Sequence, residues 1–129
     1  MAASQIQSVQ QEAKETSRPN QVQIATSTAV HRYGLTARAL RYYEERGMLS
    51  PDRDQGNRRN YTAYDQQRLQ WIARLRNAKL PLRDVEAVLA AEHLQGNGDV
   101  VATERLEKLR SDLIKQLTVL DSILSELKR

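Results

Sequence analysis

The sequence contains no cysteine and only two histidines, His31 and His93. Without cysteine the chain can form no disulfide and offers no thiolate ligand to zinc, copper, mercury or an iron–sulfur cluster. Neither histidine lies in a cluster with metal-ligand spacing, so no metal and no other cofactor is expected. Long apolar runs are also missing. None approaches the roughly 20 residues that cross a bilayer, so a membrane is not an expected partner. The opening stretch, MAASQIQSVQ, lacks the basic and then apolar regions of a secretion signal, which together with the missing cysteine fits a reducing cytoplasm. Catalytic groupings are absent as well. There is no nucleophile beside a base and no glycine-rich phosphate loop, and adjacent Glu44 and Glu45 diverge on a helix, so no enzymatic activity is expected. Glu44 is better placed to orient an arginine.

What the chain does have is positive charge on one side of its midpoint. The net charge is +4, but Gln21 to Leu80 holds eleven Lys and Arg against five Asp and Glu, whereas Pro81 to Arg129 holds seven against nine. A clustered positive field attracts polyanions and gains from counterion release, which makes nucleic acid the leading partner class. At 129 residues there is room for one compact domain and an appendage.

Residues 1–20 are rich in Gln, Ser and Glu and read as a flexible N-terminal arm. From Ile24 to Arg46 the pattern is helix, turn, helix: Gly34 supplies the turn, Thr36 can cap the second helix, and Gly47 can end it. Met48 to Asn60 is turn-rich, and Arg59-Asn60-Tyr61-Thr62 can close a short hairpin, the expected wing. A third helix starts at Thr62 or Asp65, and Pro81 opens a fourth through Leu82, Val85, Val88 and Leu89. Residues 93–100 read as a linker around Gly96-Asn97-Gly98. Beyond it, Leu106, Leu113, Leu120 and Leu127 recur every seven residues, with Leu117 and Leu124 between them and Arg110 interrupting the seam. A helix over 101–129 with such a stripe needs a partner helix.

On the second helix, Arg38, Arg41, Tyr42 and Glu45 share one side, away from Ala37, Leu40 and Glu44. Guanidinium groups that bind guanine edges or clamp phosphates, beside a phenol that donates to phosphate, suit docking in a major groove. A second basic and aromatic cluster, Asn57-Arg58-Arg59-Asn60-Tyr61, follows in the turn-rich stretch.

Tyr33-Gly34-Leu35-Thr36, Arg38, Leu40-Arg41-Tyr42-Tyr43-Glu44, Arg46-Gly47-Met48-Leu49, Pro51, Arg59-Asn60-Tyr61-Thr62 and the helix from Leu82 to Leu89 together resemble the MerR family of bacterial transcription regulators. The resemblance covers about Ile24 to Leu89. Departures are Thr26, where an aliphatic residue usually begins the first helix, Ala37, where a larger residue is common, and Lys79-Leu80-Pro81, where Gly, an apolar residue and Ser usually stand. The resemblance implies an all-α fold with a small β wing: a winged helix-turn-helix domain over 21–92, followed by a long dimerisation helix that forms an antiparallel coiled coil. It implies base or nearby contacts from Thr36 and Arg38, backbone contacts from Arg41, Tyr42 and Tyr43, wing contacts from Arg58, Arg59 and Tyr61, and a core role for Leu40. The dimer seam would be Leu106, Leu113, Leu117, Leu120, Leu124 and Leu127. The implied partners are double-stranded DNA, a second copy of the chain, and RNA polymerase at the promoter, in the cytoplasm with the nucleoid. The implied function is regulation of transcription by a homodimer that distorts a pseudo-palindromic promoter site, without a separate effector domain. An architectural or phage-type accessory DNA-binding protein, or a coiled-coil protein-interaction module, would use the same residues.

Overall fold

Left-handed backbone at two glycines sets the first corners of the chain. Helix α1, Thr26–Tyr33, ends at Gly34, whose φ of 66° lets its N–H reach the Val30 carbonyl at 3.0 Å. Two residues later the Thr36 hydroxyl accepts from the Ala39 N–H and caps helix α2, Ala37–Glu45. Gly47, at φ 78°, then turns the chain so that Met48 donates to the Tyr43 carbonyl, and Met48 and Leu49 are buried. This is the expected helix, turn, helix. The computed structural model describes residues 22–129, so the expected N-terminal arm, residues 1–20, lies outside the described residues.

A three-stranded antiparallel sheet completes the first unit. Strand β2, Asp52–Arg53, and strand β3, Arg59–Tyr61, form the wing hairpin, in register Asp52 opposite Asn60 and Arg53 opposite Arg59. Strand β1, Ile24–Ala25, pairs with the other edge of β3, so that β3 is central. A two-residue strand carries no alternation pattern, and sequence reading did not anticipate β1. Helix α3, Ala63–Asn77, starts at Thr62 with a reciprocal capping box to Asp65. The Asp65 carboxylate is fully buried: Oδ1 accepts from the Ser50 N–H at 3.0 Å, while Oδ2 accepts from the Thr62 hydroxyl at 3.3 Å and N–H at 3.4 Å. Ile24, Ala29, Leu40, Tyr43, Leu49, Tyr61, Leu69, Ile72 and Leu75 are among the buried residues of this unit.

The chain divides into compact units after Ala78, earlier than the boundary at 92 read from sequence. The reason is that helix α4, Leu82–Gln95, packs with helix α5, Gly98–Leu127. Val85, Val88, Leu89 and Ala102 are buried, and Arg105 donates to Asp84 at 2.8 Å. The stretch read as a linker, residues 93–100, is mostly helical: α4 runs to Gln95, Gly96 ends it at φ 66°, and α5 begins at Gly98. One left-handed residue is enough to break the helix there, because Gly98 donates to the Glu92 side chain and restarts the next. At 1.5 Å per residue α5 is about 45 Å long, and from Ser111 onward every residue is exposed.

Replacing Asp65 with Ala removes the side-chain half of the capping box and leaves the part-buried Ser50 N–H without its acceptor, at a cost on the order of 3 kcal/mol. Urea denaturation of the variant checks this, and a loss below about 1 kcal/mol would show that the carboxylate is not what ties the loop after α2 to α3.

Candidate nucleic-acid interface

Helix α2 presents two chemically different sides. Leu40 is fully buried and Tyr43 is 6% exposed, while Arg38, Arg41, Tyr42 and Glu45 are all open to solvent. The outward face is the one that helical periodicity places together. Arg46 lies over the Tyr42 ring, its guanidinium carbon 5.7 Å from the centroid, and Nη1 approaches the Tyr42 hydroxyl at 3.5 Å. Sequence reading placed Arg46 in a motif but did not name it as a contact residue, although its spacing of four from Tyr42 is the signal that could have found it. Thr36 is exposed at the start of the helix with its oxygen engaged as the cap, which leaves the hydroxyl hydrogen able to donate.

The wing is built around acidic residues that hold arginines. At its tip the Asp54 Oδ1 accepts from the N–H groups of Gly56 at 2.9 Å and Arg58 at 3.0 Å, and Asn57 takes the left-handed conformation at φ 60°. Arg58 is 82% exposed, and its Nε lies 3.2 Å from Asp54 Oδ2. Behind the tip, Glu44 of α2 accepts from Arg53 Nη2 at 3.1 Å and from Arg59 Nε at 2.5 Å. Glu44 thus orients not one arginine but two. Arg53 was not among the sequence candidates: it lies nine residues from Glu44, and only the hairpin register, which sets Arg53 opposite Arg59, brings it in.

One expected contact residue is corrected, and a second is mostly buried. Tyr61 is completely buried beneath the sheet, so its side chain has no surface to offer DNA. Burial also pushes its phenol above the ordinary value of 10.0, which keeps it neutral. Tyr43 is likewise a packing residue, its ring 6.2 Å from that of Tyr42 and tilted by 55°. A unit this small closes its core with tyrosines, and their positions in a basic cluster made them look like surface groups. Thr36, Arg38, Arg41, Tyr42, Arg58 and Arg59 remain accessible in full or in part.

In the second unit the leucine seam runs from covered to open. Leu106 is half-buried, whereas Leu113, Leu117, Leu120, Leu124 and Leu127 are 47–76% exposed, along with Ile114 and Ile123. No helix of the described residues is long and apolar enough to cross a membrane.

Residues 25–92 match the sequence model of a family described as MerR HTH family regulatory protein. Among curated proteins, the chain is 35% identical over 83 residues to the HTH-type transcriptional regulator GlnR of Bacillus anthracis, covering 64% of each chain. It is 31% identical over 85 residues to an HTH-type transcriptional regulator described as a ZntR homolog from Haemophilus influenzae, covering 65% of this chain and 60% of that one. The match therefore spans less than two thirds of the length of these relatives. Among solved structures, the fold is shared with HiNmlR, described as a MerR family regulator lacking the sensor domain and bound to promoter DNA. The TM-score is 0.58 at 22% identity over 81% of this chain and 89% of that one. A MerR family transcriptional regulator from Bacillus cereus shares it at TM-score 0.60 and 24% identity, over 78% and 76% of the two chains.

The backbone N–H of Arg58 holds the Asp54 carboxyl below its ordinary value of 3.8. A depressed value means that the contribution of this group to the wing-tip turn is present above pH 3.8 and is lost as pH falls through the lower folded value. Amide resonances of Gly56 and Arg58 should therefore titrate together with a midpoint under 3.8, and Asp54→Asn should abolish the transition. A midpoint at or above the ordinary value would contradict the turn described here.

Proposed function

The chain belongs to the MerR family of helix-turn-helix regulatory proteins, and from that premise we propose that it is a double-stranded DNA-binding transcription regulator. One observation carries the reading: α2 exposes Arg38, Arg41 and Tyr42 as a single face while its opposite side is anchored in the core and tied to the wing through Glu44. A rigidly held helix with an outward guanidinium face is what direct readout in a major groove requires. In this reading Thr36 and Arg38, at the start of α2, meet base edges, and Arg41 and Tyr42 meet the phosphate backbone. Arg58 and Arg59 extend the contact from the wing to flanking phosphates. That HiNmlR, with the same fold, is described as bound to promoter DNA supports a promoter site as the target.

The same proposal includes a homodimer. Beyond Ser111 no other element of the described chain covers α5, yet Leu113, Ile114, Leu117, Leu120, Ile123 and Leu124 expose about half of each side chain. A second copy running antiparallel sets Leu117 against Leu120 and Leu113 against Leu124 across the seam. A parallel pair would instead oppose two Arg110 side chains in one layer, which costs desolvation without a counter-charge. Two α2 helices related by a two-fold axis read a pseudo-palindrome. Distortion of the promoter between the half-sites, presented to RNA polymerase in the cytoplasm, is the mode of regulation we assign to it.

Arg38→Ala is expected to cost roughly 1 to 3 kcal/mol at particular base pairs and to relax preference there, whereas Arg58→Ala weakens binding about equally on every duplex. Equilibrium binding across a panel of single-base changes in a selected duplex distinguishes them. A uniform loss for Arg38→Ala would move that residue to the phosphate-contacting group, and absence of salt-dependent duplex binding by the parent protein would overturn the function itself.

A further inference from the structure

One carboxylate connects the exposed helix to both strands of the wing. Glu44 divides its oxygens between Arg53 of β2 and Arg59 of β3, and Arg53 Nη1 continues to the Asn57 carbonyl at 3.2 Å, at the wing tip. The side chains are 23% exposed for Glu44, 27% for Arg59 and 37% for Arg53, so solvent and salt screen this triad less than a fully exposed pair. Arg59 is engaged through its Nε edge, and its terminal amino groups make no hydrogen bond within the described residues. Arg53, in contrast, uses both terminal nitrogens internally. The arrangement therefore ties one guanidinium down and aims the other.

We propose that Glu44 is a positioning residue for DNA recognition that lowers the affinity of the wing for phosphates of the wrong sequence. This rests on the DNA-binding reading above. A freely swinging arginine on a hairpin finds a phosphate anywhere along a duplex and releases counterions whatever the sequence, which adds affinity without discrimination. Held by Glu44, Arg59 meets a phosphate only when the backbone lies at the distance from α2 that a correctly seated helix gives. The carboxylate also places a fixed negative charge beside the wing, and every loosely bound duplex must overcome it. Sequence discrimination thus comes partly from a residue on the side of α2 that faces away from the bases.

Glu44→Gln keeps the shape and an acceptor oxygen but removes the charge. Dissociation constants for the full chain, parent and variant, are measured over a series of potassium chloride concentrations. The two probes are a mixed-sequence duplex and a duplex enriched from a random pool by the parent protein. The variant is expected to bind the mixed-sequence duplex more tightly, with a salt dependence steeper by about one charge per arginine released. The ratio between selected and mixed duplex should fall by about tenfold, on the order of 1.4 kcal/mol. Adding Arg53→Gln and Arg59→Gln to the variant should remove the extra slope. An unchanged slope with equal loss on both duplexes, the behaviour of a merely structural residue, overturns the proposal. Should Glu44→Gln melt at the assay temperature, Arg59→Lys carries the test, because an ammonium on a flexible stem lacks the planar fork that fixes one edge on Glu44 and aims the other outward. Reduced discrimination then supports the role of Glu44, and parental discrimination overturns it. A parent protein that binds neither duplex overturns the DNA-binding reading and this inference with it, whereas parental binding with an unresponsive Glu44 overturns this inference alone.

Discussion

A buried carboxylate must find donors or leave the interior, and at Asp65 the donors come from two places in the chain. The Ser50 N–H belongs to the loop that follows α2, and the Thr62 hydroxyl and N–H belong to the end of β3. Satisfying one side chain therefore fixes where α2 ends, where the wing returns and where α3 begins. The wing between those points is only a short hairpin, and two-stranded hairpins are marginal by themselves. It persists because both of its ends are tied at Asp65 and its middle is tied to α2 at Glu44. Recognition by a helix and a wing needs a constant distance between them, and these two carboxylates set it.

The same economy explains the tyrosines. With few large aliphatic residues between β1 and α3, the first unit fills its centre with Tyr61 and Tyr43, leaving Tyr42 outside beside Arg46. Neighbouring aromatic residues thus have opposite duties, one closing the core and one facing solvent among arginines. Helical periodicity separates Tyr42 from Tyr43 by 100° and decides which is which.

Much of this was legible from the residues alone. Gly34 as the turn, Thr36 as the cap, Thr62 and Pro81 as helix starts, and the outward grouping of Arg38, Arg41 and Tyr42 are local or periodic signals, and the structure places them as read. What was not legible depends on pairing across distance. Strand β1 is too short to show a period. Burial of Tyr61 follows from its place on the central strand, and Arg53 meets Glu44 only once the hairpin register is set. The break at Gly96 was visible, but its narrowness was not, since Asp99 and Val100 read equally well as loop or first helical turn.

The exposed seam on α5 and the exposed face on α2 make one account only if two copies act together, each contributing one reading helix. Enrichment of duplexes from a random pool by the purified chain tests that account most directly. It predicts recovery of an inverted repeat, with two equivalent half-sites at fixed spacing and both required for tight binding. Recovery of a single unrepeated site, or no enrichment over the starting pool, would contradict it.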